Sequence, residues 1–142
     1  MKFLTGILSG TAEIRELSAA VSTGKLPAAV TGLSAVHKAA YIRTLTASSH
    51  RRALVLTGDE REAQRLSDDL SAMGMHPLVY PLRDFNFRDT AGTSHEYELQ
   101  RLQVLSRLLL PEDDPEFCDC VVACIDAALQ YVLPPDILQA RS

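Results

Sequence analysis

Apolar residues return along this chain in two rhythms, short unbroken runs of three to five and longer stretches where they recur every three or four positions. Ile14, Leu17 and Val21 recur at i, i+3 and i+7 behind Thr11, a residue type that caps helices, and Gly24 follows. That spacing predicts an amphipathic helix ending near Gly24 and lying as an outer cover before the first strand. Pro27 to Thr31 predicts a short buried strand, and Ser34 to about Thr46 a helix with Val36, Ala39, Ala40 and Leu45 toward a sheet. Ala53-Leu54-Val55-Leu56 is apolar without alternation, which predicts a strand covered on both faces, as in parallel sheets.

Asp59 followed by Glu62 has the form of a capping box, and Ala63, Leu66, Leu70 and Met73 mark one face of a helix stopped by Gly74. Asp68 and Asp69 fall on its solvated side; as helix neighbours they point in different directions, which disfavours paired-carboxylate catalysis. Leu78-Val79-Tyr80 reads as a third strand ended by Pro81, and Arg83 to Gly92 as a packed loop carrying Phe85 and Phe87. Those two rings either pin the loop to the core or stack on a base. Thr93-x-x-Glu96 forms a second capping box, opening a helix with Leu102, Leu105 and Leu109 inward and Arg101 and Arg107 directed elsewhere. An acidic, proline-bearing surface loop over Pro111 to Glu116 precedes a fourth strand at Cys120-Val121-Val122-Ala123. Strands and helices alternating at this spacing predict an α/β fold, a parallel sheet of about four strands with helices on both faces.

Composition fits that picture. The 142 residues suit one domain, with 46% hydrophobic and 23% charged residues as in a folded globular protein. A net charge of −4 argues against a main nucleic-acid surface, since the basic knot His50-Arg51-Arg52 sits at a helix end. No apolar run approaches the roughly 18 residues of a membrane span, and Met1 to Leu4 does not lead into a signal sequence, so a cytoplasmic setting without membrane contact is expected. Cys118, Cys120 and Cys124 match no familiar zinc spacing and read as small buried residues on or beside a strand. The histidines at 37, 50, 76 and 95 are scattered, so no metal site is expected.

Two stretches resemble nucleotide chemistry. An apolar run ending at Gly32, a small-residue loop and a helix opening at Lys38 have the layout of strand, phosphate loop and helix. In the G-x-x-x-x-G-K-[ST] pattern the second glycine lets backbone amides close around phosphate, the lysine neutralises it and the hydroxyl holds Mg²⁺. Here His37 replaces that glycine and Ala39 the hydroxyl, so the loop reads as vestigial and a working NTPase site is not expected. Asp126 after the fourth strand is either a Walker B carboxylate or, more simply, the cap of a short helix from Ala127 to Val132, closed by Pro134-Pro135.

Taken together, Val30-Thr31-Gly32-Leu33-Ser34, Ala53-Leu54-Val55-Leu56-Thr57, Tyr80-Pro81 with its acidic aromatic loop, Glu98-Leu99-Gln100-Arg101-Leu102 with Leu105, Val121-Val122-Ala123 through Leu129, and Leu133-Pro134-Pro135 carry a family likeness. Their order resembles the extreme N-terminus of the bacterial transcription-repair coupling factors, the Mfd family, a region similar to the first domain of the excision-repair helicase UvrB. The resemblance covers nearly everything after about Lys25, and the loop Asp84-Phe85-Asn86-Phe87 departs from the usual proline-tyrosine form. It implies a P-loop-NTPase-like fold whose phosphate loop, marked by Gly32, His37, Lys38 and Ala39, has decayed as in the coupling factors rather than staying intact as in UvrB. It implies residues 1–26 as an N-terminal helical segment, 27–135 as the first part of a UvrB-like domain, and 136–142 as the start of a connection to a further domain, the chain being a fragment of a longer protein.

The same resemblance implies a non-catalytic scaffold with no catalytic residue and no cofactor of its own, ATP and Mg²⁺ being used at the motor domains of the full-length protein. UvrA, RNA polymerase and duplex DNA are the partners implied for that protein, and mainly intramolecular domain contacts for this segment. Two other readings stay open: an active P-loop NTPase or UvrB-type helicase fragment, and a stand-alone doubly wound module binding a small ligand at the carboxyl ends of its strands.

Overall fold

A computed structural model describes residues 6, 10–83, 94–132 and 134. The elements in order are α1 (Ala12–Thr23), α2 (Ala35–Ser49), β1 (Ala53–Thr57), α3 (Glu60–Ala72), β2 (Pro77–Tyr80), α4 (Ser94–Arg107), β3 (Cys120–Cys124) and α5 (Ile125–Ala128). The three strands form one sheet in the order β1-β3-β2. Both pairings are parallel, with Ala53 opposite Cys120 and Thr57 opposite Cys124 on one side of β3, and Pro77 opposite Cys120 and Tyr80 opposite Ala123 on the other. The α/β class and the parallel sheet agree with the sequence reading; the strand count does not.

Pro27 to Thr31 is irregular and exposed rather than a buried strand. Ala28, Ala29 and Val30 offer little apolar surface, and Val30 is 44% exposed, so burial contributes little toward ordering them in a ladder. Fully buried β3, whose five residues are all apolar or thiol-bearing, takes the central position that a two-sided hydrophobic run demands.

Two cores flank the sheet. On one face Val55, Val79, Cys120 and Val122 meet Ala39 and Ala40 of α2 and Ala63, Leu66 and Leu70 of α3. On the other, Tyr80, Val121 and Ala123 meet Val104 of α4 and Ala127 of α5. Helices therefore lie on both faces, but among the described residues the second core takes in side chains of β2 and β3 and none of β1. Leu54 and Leu56, expected inside, are 68% and 53% exposed.

α3 follows its sequence signals closely. The Asp59 carboxylate accepts from the Glu62 amide at 2.7 Å, the Glu62 carboxylate accepts from the Gly58 amide at 3.2 Å, and Gly74 sits at φ +81°, where a side chain would be strained. α1 lies against α2 with Ile14 buried, the outer cover expected of it. α4 is rotated from the expected face. Arg101 and Val104 are buried and Leu105 and Leu108 pack beside them, whereas Leu109 is 41% exposed and falls beyond the helix. The expectations for Met1 to Leu4, Phe85, Phe87, Thr93, Leu133, Pro135 and residues 136–142 lie outside the described residues.

Candidate functional site

The chain before α2 bends at Gly32, whose φ of +77° suits a residue without a Cβ, followed by Ser34 in an extended conformation at the cap of α2. The Ser34 hydroxyl accepts from the His37 amide at 3.5 Å and lies 3.0 Å from His37 Nδ1. One of the first free amides of the helix, the type of donor that would cradle a phosphate, is thus met by a side chain, and the imidazole folds onto the same hydroxyl.

Lys38 points to Glu62 of α3, Nζ to Oε1 3.6 Å, with both side chains about half exposed. Ala39 is fully buried in the core against α3. A hydroxyl at that position would face apolar groups rather than a cation. Next to this bend a cavity of about 330 Å³ is lined by Lys38, Arg61 and Arg65 and also by Asp59, Glu62 and Asp69. Three cations against three anions leave it without the positive excess that binds a polyphosphate.

Gly32 lies in the bend before α2, and His37, Lys38 and Ala39 lie in the first turns of that helix, with no strand leading into them. Asp126 does not join them through the ion pair of Lys38, which is with Glu62. Nor is Asp126 the cap. α5 begins at Ile125, and Cys124 Sγ accepts from the Ala127 amide at 3.4 Å, leaving Asp126 exposed in the first turn, where its charge suits the helix dipole.

Cys118, Cys120 and Cys124 are free and buried, as expected. Burial pushes the Cys120 thiol up to about 12 and raises that of Cys118. Both stay protonated and inert near neutrality. Among the described residues no group of three or more His, Cys, Asp or Glu side chains is placed to hold a metal ion. No helix among them is long and apolar enough to cross a membrane.

Two arginines carry structural roles that the sequence reading did not assign. Arg101 is 2% exposed, donates through Nη1 to Pro81 O at 2.8 Å and to Gln130 Oε1 at 3.0 Å, and lies 4.1 Å above the centroid of Tyr80. Gln130 Oε1 also accepts from the Arg83 amide at 2.8 Å, and Arg83 forks onto Glu98 with contacts of 2.6 and 3.0 Å. This cluster fixes the chain where it leaves β2. Burial lowers the affinity of Arg101 for its proton and raises that of the Tyr80 hydroxyl. Arg52, in the basic knot just after α2, donates to the carbonyls of Leu108 and Leu110 and stacks 4.5 Å from the Phe117 centroid. A signal for Arg101 was present: it lies three, four and seven positions before Val104, Leu105 and Leu108, on the helical stripe that is buried.

Among known proteins, a stretch of 106 residues, 73% of this chain, is 29% identical to the transcription-repair-coupling factor of Bacillus subtilis (strain 168), a distant relationship. The match takes up 8% of the length of that relative. No family model and no solved structure matches the chain.

Proposed function

We propose that this chain is a non-catalytic scaffold segment of a transcription-repair coupling factor. In that reading residues 27–135 form the first part of a UvrB-like domain with a decayed phosphate loop, working in the cytoplasm. The partners UvrA, stalled RNA polymerase and duplex DNA belong to the full-length protein. This segment supports UvrA recruitment and polymerase release through contacts within that protein, and ATP and Mg²⁺ act at its motor domains. The distant match to the Bacillus subtilis factor supports the family assignment.

The observation that carries the non-catalytic reading is that the groups a triphosphate would need are already engaged within the protein. Ser34 holds the His37 amide, Glu62 faces Lys38, and a buried methyl stands at position 39. Titrating the chain with Mg-ATP in a calorimeter tests this. No saturable heat is expected up to millimolar nucleotide, a range equivalent to about −4 kcal/mol of binding. Saturable binding that Lys38→Ala removes would overturn the reading in favour of an active P-loop fragment.

A further inference from the structure

We draw no further inference here: the strongest candidate, the apolar cavity of about 240 Å³ beside Val55 and Thr57 at the carboxyl end of β1, rimmed by Leu17, Val30, Leu33 and Tyr41, carries nothing because nothing in the structure shows what covers it.

Discussion

Lys38 Nζ stands 3.6 Å from Glu62 Oε1, joining the first turn of α2 to the first turn of α3 across the carboxyl end of β1. In a nucleotide-binding turn that lysine would be held free for phosphate; here a carboxylate three residues into the next helix neutralises it. Both partners are about half exposed, so the attraction is screened by water and its contribution to stability is small.

Lys38→Ala should therefore lower unfolding free energy by less than about 1 kcal/mol. Glu62→Ala should cost more, because it also removes the acceptor of the Gly58 amide and the partner that fixes the start of α3. Urea unfolding of the two variants side by side gives the order; a larger loss for Lys38→Ala would contradict it.

Asp59→Ala should destabilise by about 0.5–2 kcal/mol, the range for losing an N-cap side chain. Its carboxylate is the acceptor for the Glu62 amide at 2.7 Å. Asp59→Asn, which keeps an acceptor oxygen in place, should recover most of the loss in the same urea titration.

Arg101→Met should cost roughly 2–4 kcal/mol, since it removes the side-chain donor to the Pro81 carbonyl in a buried site, takes one of two donors from Gln130 Oε1 and strips the face of Tyr80. Arg101→Lys should not rescue it. An ammonium lacks the planar fork that bonds and stacks at once. Thermal melts of both variants check this, with rescue by lysine as the contrary result.

Cys120 makes the fold sensitive to alkali. Its thiol ionises at about 12 in the folded protein against an ordinary 9.0, so the native state favours the protonated form. The unfolded chain loses that proton first. The contribution is fully present below pH 9.0, declines as pH rises from there toward 12, and is absent as a variable near neutrality. Stability measured from pH 7 upward should stay level and then fall above pH 9.0, and Cys120→Val, which removes the titrating group at similar volume, should flatten that fall.

The parts of the fold legible in the sequence are those where local and tertiary signals agree. In α3 the cap at Asp59, the stripe through Ala63, Leu66 and Leu70 and the stop at Gly74 all name the same helix, and the structure has it. β3 was legible because an unbroken buried run has few alternatives to a central strand. The strand expected at Pro27 to Thr31 failed because small apolar residues carry too little surface to require a partner. β1 was found, but its second face was not, since an apolar run does not disclose whether a helix covers it. At the candidate site the replacement residues His37 and Ala39 could be read directly, whereas the Glu62 partner of Lys38 and the core packing of Ala39 are tertiary facts. Arg101 was misplaced because its charge outweighed its position on the helical stripe.

The strand order has a consequence for how the molecule comes into being. β1 and β2 touch only through β3, which is the last of the three to be synthesised. During translation the first two strands have no ladder to join until residue 120 has left the ribosome, and their apolar edges wait as unpaired segments. Neither pairing of the sheet can form before its central strand is available. Chaperone dependence during synthesis should accordingly end abruptly as β3 emerges.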